Sequence, residues 1–212
     1  MTELAAYFDR PRPKLVAIWA RWSPGGVVVD FGCGAGWLGR ELLAQGLATE
    51  VIGIEQKADA VRVAADRLTS ALQADVGDVS VWDSLPERVD GLLFADVLEH
   101  LRDPDSTLAA AVEHLRPGGR VLISVPNVRH IRVVARLVLR NRWDYHDEGV
   151  CDEDHVRFFT SVTLRELLLR HGLVVERVYP QVDGRRRFLA RHLPVAASFL
   201  SPAYVAVATK PA

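Results

Sequence analysis

Apolar positions along the chain fall into two rhythms. Short apolar runs at 27–29, 51–54, 91–95 and 120–125, with a weaker one at 71–74, are bounded by Gly, Pro or Asp. Runs this short and unbroken suit strands buried on both faces. Between them, apolar residues recur every three or four positions, which predicts helices at 37–44, 58–69 and 104–115. Strands alternating with helices indicate a parallel sheet covered by helices. The third helix meets a stop signal in Arg116-Pro117-Gly118-Gly119. After the fifth strand the rhythm changes. Residues 127–160 form an insertion, helical over 131–140 and then polar and aromatic, expected to cap the cleft. A helix at 161–171, closed by Gly172, and strands at 174–179 and 203–209 complete the series. No long helix separates the last two strands, so they are expected to pair antiparallel. The fold class expected is α/β, a doubly wound, seven-stranded, mostly parallel sheet, in a single domain over 1–212 with a lid at 127–160.

Composition changes this picture little. The 212 residues are 49% hydrophobic and 25% charged, enough apolar content for a substantial core in one domain. A net charge of −1 supplies no global field to recruit nucleic acid or anionic lipid. The first residues lack a basic segment followed by an apolar one, and no stretch reaches the ~20 apolar residues needed to span a bilayer. A cytoplasmic protein with no membrane partner is expected. Cys33 and Cys151 have no metal-type spacing and read as free thiols of a reducing compartment.

The chemistry begins at Val27-Val28-Val29-Asp30-Phe31-Gly32-Cys33-Gly34-Ala35-Gly36. A buried strand runs into a turn with glycine at alternate positions and then into a helix. Glycine there permits positive φ and close approach of a ligand, and the helix start offers free N–H groups. Gly34-x-Gly36-x-x-Gly39 also matches a dinucleotide-binding pattern. Asp30 argues the other way, because a carboxylate at the strand end attracts a cationic amino-acid group and repels a pyrophosphate. Glu55, ending the second strand, is placed to accept from ribose hydroxyls in either case.

The ordered set VVVDFGCGAG, VIGIEQ, ALQADVGD, GLLFADVLEHL and LRPGGRVLISVPN resembles the successive motifs of class I S-adenosylmethionine-dependent methyltransferases, over nearly the whole chain. The resemblance implies a Rossmann-like methyltransferase fold with S-adenosylmethionine as cofactor. It implies that Gly32, Gly34 and Gly36 line the cofactor, with Asp30 near its methionine end. Glu55 would hold the ribose, flanked by Gln56. Asp75, or Asp78 as the alternative, would bond the adenine amino group beside Val76. Ala95 and Asp96 would border the methionine part, and Tyr7 and Arg12 would close the pocket.

Asp96-Val97-Leu98-Glu99-His100 follows the fourth strand, at the carboxyl end of the sheet where such folds bind ligands. If the segment turns helically, Asp96, Glu99 and His100 share one face. Two carboxylates and an imidazole suit a divalent ion, Mg²⁺ or Mn²⁺. The spacing is similar to the metal site of plant small-RNA 2′-O-methyltransferases and ubiquinone-pathway O-methyltransferases, with His155 as the downstream ligand; Asp96 stands where those enzymes have Glu. The preferred role for His155 and His100 is acid–base: an imidazole can take the proton of an acceptor hydroxyl as a methyl group transfers.

In the lid, Arg129, Arg132, Arg136 and Arg140 recur at steps of three and four and form one stripe. The stripe reads as a cradle for an anionic acceptor or as a solvated face opposite Val133, Val134, Leu137 and Val138. Residues 124–160 are similar to a bacterial methyltransferase subgroup tied to polysaccharide or secondary-metabolite synthesis. That implies a small-molecule acceptor, a sugar or glycan-precursor hydroxyl. A second basic cluster, Arg185, Arg186, Arg187 and Arg191, precedes the last strand. The competing functions are a dinucleotide-dependent oxidoreductase and a partner subunit without turnover.

Overall fold

The computed structural model describes residues 11–182 and 194–212. The seven strands are β1 (Val27–Phe31), β2 (Glu50–Glu55), β3 (Ser70–Gln73), β4 (Val89–Ala95), β5 (Leu115–Pro126), β6 (Val174–Pro180) and β7 (Ala203–Thr209). They form one sheet in the order β3-β2-β1-β4-β5-β7-β6. All adjacent pairs from β3 to β5 are parallel, and β7 runs antiparallel to both β5 and β6. The antiparallel ending matches expectation; that β7 slots between β5 and β6 does not follow from the linear pattern.

Alternation along each strand divides two cores. Val29, Phe31, Leu92, Phe94, Val121 and Ile123 share one cluster, and Val28, Leu93, Leu122 and Val205 share the other. Successive side chains leave opposite faces of a strand, so a strand buried on both sides must be apolar throughout. The second core receives α1 (Pro13–Trp19), α2 (Trp37–Ala44) and α3 (Ala58–Ala65) through Trp19, Leu42 and Ala64. The first receives α4 (Pro104–His114) and α6 (Ser161–Arg170) through Leu108, Leu164 and Leu168. Between these two lies α5 (Ile131–Arg140), with α7 (Pro194–Leu200) before the last strand.

Three features depart from the periodicity. The helix expected over 58–69 stops at Ala65, freeing Leu68 to pack against a strip without side chains: a Cβ on Gly39 or Gly53 would stand 2.6 Å from a Leu68 methyl. The stop signal after α4 lies inside β5, which starts at Leu115 and bulges opposite Val89 and Gly91 before resuming at Arg120. Gly118 takes φ +75° there, and its N–H donates to the Lys210 carbonyl at 2.8 Å. The third departure is α5. Its bounds are as expected, yet none of its residues is buried; Val138 is 71% and Leu139 80% exposed, so its apolar side is not the packed face anticipated.

Candidate active site

The strands β1, β2 and β4 end together at one rim of the sheet, and a cavity of about 820 Å³ opens there. Its lining includes Asp30, Gly32, Gly34, Glu55, Gln56, Asp75, Val76, Ala95 and Asp96, nine of the residues expected from the motifs, together with Arg12. Tyr7 lies outside the described residues, as do Arg185, Arg186, Arg187 and Arg191. Asp78 does not line the cavity.

Gly32 has φ +62°, and a Cβ there would stand 2.7 Å from Cγ2 of Val97, so only glycine leaves this stretch of backbone bare toward a ligand. Gly36 plays a different part from the one expected. It is absent from the cavity lining; as the N-cap of α2 at φ +77°, it lies where a Cβ would press on Leu68 and Ala64. The glycine pattern after Gly34 therefore serves helix-to-sheet packing.

The two strand-end acids differ. Glu55 is buried and braces the turn: one oxygen accepts from Gly34 N–H at 3.1 Å, the other from Lys57 N–H at 2.9 Å. Each oxygen keeps a lone pair for a further donor such as a ribose hydroxyl. Asp30 is almost wholly buried and its Oδ2 has no partner among the described residues. Burial pushes its carboxyl up to about 7, against the opposing pull of Arg12. A buried carboxylate with an open oxygen fits a cationic group at this end of the cleft. Bare glycine backbone, a carboxylate awaiting a cation and a second one with spare acceptor capacity together suit S-adenosylmethionine.

Asp75 is exposed at the cavity edge and holds its own loop, accepting from Gly77 N–H at 2.8 Å. Asp96 adopts φ +60°, rare for a residue with a side chain, and such outliers cluster at functional sites. It is ion-paired with Arg12 and accepts a hydrogen bond from Ser124 Oγ. Arg12, from the segment leading into α1, thus closes over the end of β4.

Beyond Asp96 the chain makes a 3-10 turn, Leu98–His100, in place of the full helical turn that would have put Asp96, Glu99 and His100 on one face. The 127–160 segment folds back onto it: Val156 and Arg157 N–H both donate to the Glu99 carbonyl, at 2.9 and 3.0 Å. Glu99, His100 and His155 consequently meet, with one ligand atom from each inside a 4.8 Å group; Asp96 is outside it. His155 Nδ1 lies 3.2 Å from the Val150 carbonyl and His100 Nδ1 3.2 Å from the Asp154 carbonyl. A carbonyl only accepts, so these bonds place each proton on Nδ1 and leave both Nε2 atoms with a lone pair. Burial holds His155 below the ordinary imidazole range. Both Glu99 oxygens are buried without hydrogen-bond partners among the described residues, and burial raises this carboxyl well above its usual range.

Sequence reasoning missed Asp152, a buried acid of the lid that lines the cavity, and Ser124, which holds Asp96. Asp152 stood within a string of acids and carried no distinguishing signal. Ser124 was the lone hydroxyl in an apolar strand, which is a signal.

A family model described as a methyltransferase domain matches residues 4–178. The ubiquinone biosynthesis O-methyltransferase of Xanthomonas axonopodis pv. citri is 29% identical over 212 residues, covering 93% of this chain and 82% of that protein. A protein of the same description from Xylella fastidiosa is 34% identical over 184 residues, 79% of this chain and 70% of that one. Among solved structures, a SAM dependent methyltransferase from Archaeoglobus fulgidus superposes with a TM-score of 0.67 at 17% identity, covering 96% of each chain.

Proposed function

The chain belongs to the methyltransferase-domain family and is an S-adenosylmethionine-dependent methyltransferase; from that premise we propose that it methylates a hydroxyl of a small acceptor, a sugar or glycan precursor, with His155 as general base and His100 beside it. The carrying observation is the state of His155: buried in the cleft wall, protonated at Nδ1 through the Val150 carbonyl, and free at Nε2. S-adenosylmethionine supplies an electrophilic methyl group when bound. A neutral alcohol must shed its proton as it is methylated, and Nε2 of His155 is the acceptor this cleft offers. Desolvation keeps the ring neutral, so the base form persists below the usual imidazole pH range. Residues Glu148, Gly149, Val150, Asp152, Asp154 and His155 line the same cleft as the glycine turn, so the proposed base shares a cavity with the cofactor side. That both relatives named above are described as O-methyltransferases supports oxygen as the accepting atom. The sugar assignment rests on the resemblance of residues 124–160 to a bacterial methyltransferase subgroup tied to polysaccharide or secondary-metabolite synthesis. Asp30, Gly32, Gly34, Glu55 and Asp75 would hold the cofactor, with Arg12 across its methionine end.

A second reading draws on the partnerless Glu99 carboxylate. Glu99, His100 and His155 would hold a divalent ion, and the backbone carbonyls on both Nδ1 atoms are the outer partners that orient metal-binding imidazoles. The ion would act as a Lewis acid toward the acceptor oxygen. Two nitrogens and one carboxylate suit Mn²⁺ or a later transition ion better than Mg²⁺, which prefers oxygen throughout. Turnover after EDTA treatment separates the readings. Full activity without metal supports the histidine base, whereas loss restored by Mn²⁺ assigns the cluster to an ion.

A further inference from the structure

We infer that the lid contains a phosphate-binding subsite, which holds an anionic group of the acceptor while its hydroxyl occupies the main cleft; this rests on the small-acceptor reading above. A second cavity, of about 290 Å³, lies between α5 and the loop that follows it, lined by Arg132, Arg136, Arg142, Trp143 and His146 among others. Glu148, Val150 and Pro202 line both cavities, so the two share a wall. Val150 is also the residue whose carbonyl orients His155. The side cavity therefore adjoins the base rather than a remote surface.

Charge distinguishes the two spaces. The main cleft is lined by acids, among them Asp30, Glu55, Asp96, Glu99, Asp152 and Asp154, against Arg12 and Lys57. An acceptor bearing a phosphate is repelled there unless its charge lies elsewhere. In the side cavity three guanidinium groups, Arg132, Arg136 and Arg142, outnumber two carboxylates, Asp144 and Glu148; Asp144 is taken by Arg142, its Oδ1 accepting from Nε at 3.1 Å and Nη2 at 2.7 Å. Arg136 donates to Nε2 of His146 at 2.8 Å, an acceptor that is uncharged when it presents a lone pair. Arg132 makes no hydrogen bond or ion pair among the described residues. Two guanidinium groups four residues apart on one helix repel each other, and a bridging phosphate reverses that term.

The arginine stripe seen in the sequence is thus divided. Arg129 stacks on the Phe199 ring, 4.3 Å from its centroid, and Arg140 lies outside the cavity. Only Arg132 and Arg136 of the stripe enter the lining, where loop residue Arg142 joins them. Trp143 stands edge-on to Phe158, with ring centroids 5.2 Å apart, which fixes the indole beside the arginines. A planar fork matched to phosphate oxygens next to a held aromatic ring suits a phosphorylated sugar or similar phosphate ester.

The test is calorimetric titration of the full chain with inorganic pyrophosphate, beside parallel titration with S-adenosylhomocysteine. Arg132→Gln/Arg136→Gln should weaken pyrophosphate binding at least about tenfold, the loss of roughly one charge-assisted bond. Arg140→Gln, on the same stripe but outside the cavity, should stay within twofold, and S-adenosylhomocysteine affinity should be unchanged in all three proteins. Absence of saturable pyrophosphate binding, or equal affinity in the double variant, overturns the subsite. Arginine-dependent binding to phosphatidylglycerol vesicles without pyrophosphate binding also overturns it, and gives these residues to a lipid surface. Failure of S-adenosylhomocysteine to bind breaks the cofactor reading instead, leaving the pyrophosphate result to stand by itself.

Discussion

The wall of the cleft built by residues 27–76 and the wall built by residues 127–160 bind in different ways. On the first, each functional group is buried or braced by backbone: Glu55 clamps Gly34 and Lys57, and Gly36, Gly39 and Gly53 admit Leu68. On the second, α5 buries none of its residues, and part of the wall's attachment runs through main-chain bonds, Val156 and Arg157 N–H to the Glu99 carbonyl and Asn127 N–H to the Pro202 carbonyl. One wall is preformed for a constant ligand. The other exposes its helix, buries only part of its loop, His155 and Asp152 included, and carries mixed charge. A scaffold common to many methyltransferases needs the first; on the function proposed above, choice of acceptor falls to the second.

The comparison is sharpest at His155, where the lid meets the chemistry. His155→Ala should lower kcat by roughly 10²–10⁴, the usual range for a general base, with S-adenosylhomocysteine affinity within twofold in calorimetry. Wild-type turnover in both His155→Ala and His100→Ala would end the base reading. On the opposite wall, Asp30→Asn should weaken S-adenosylmethionine roughly 10–100-fold, the range for losing a hydrogen bond to a charged group. The same change should raise the melting temperature of the cofactor-free protein by at least about 2 °C at pH 8. Asp30 titrates near 7 when folded and near 3.8 in its ordinary state, so its ionisation costs stability as pH rises through 7. The difference between variant and wild type should therefore shrink as pH falls from 8 toward 4.

Gly39→Ala tests the packing beneath the turn, since its Cβ would meet Val51 Cγ1 at 2.7 Å and a Leu68 methyl at 2.6 Å. A loss of about 1–3 kcal/mol in urea unfolding is expected from overpacking. A subtler effect belongs to pH: because His155 is held below the usual imidazole range, the acid limb of kcat/KM should fall below pH 6.5, and a limb above it would contradict the burial argument. The smallest change is expected on the lid surface. Val138→Ser, at a residue 71% exposed, should alter stability by no more than about 0.5 kcal/mol. A larger loss would mean that α5 is covered in solution.

Much of the first wall is legible in the sequence alone. Strand runs, the glycine turn and acids at strand ends are local features, and parallel pairing in a doubly wound sheet brings strand ends to one rim whatever the loops do. Nine of the expected cofactor-side residues line the cavity for that reason, and Arg12 joins them from the segment before α1. Gly36 was misread because a glycine needed for packing and one needed for a ligand look alike in sequence. Asp96, Glu99 and His100 were placed on one face by assuming a full helical turn, and a 3-10 turn separated Asp96 from the other two.

The sequence by itself determined the order of elements, the two-sided apolar strands and the cofactor side of the cleft, because each depends on contacts near in the chain or fixed by sheet geometry. Only the tertiary structure decided that His155 meets Glu99 and His100, that β7 enters between β5 and β6, and that two of four stripe arginines line a cavity. Those outcomes depend on side chains tens of residues apart. The meeting at Glu99 is set by the bonds of Val156 and Arg157 to its carbonyl, and the place of β7 by its pairing with both neighbours, neither of which any periodicity encodes.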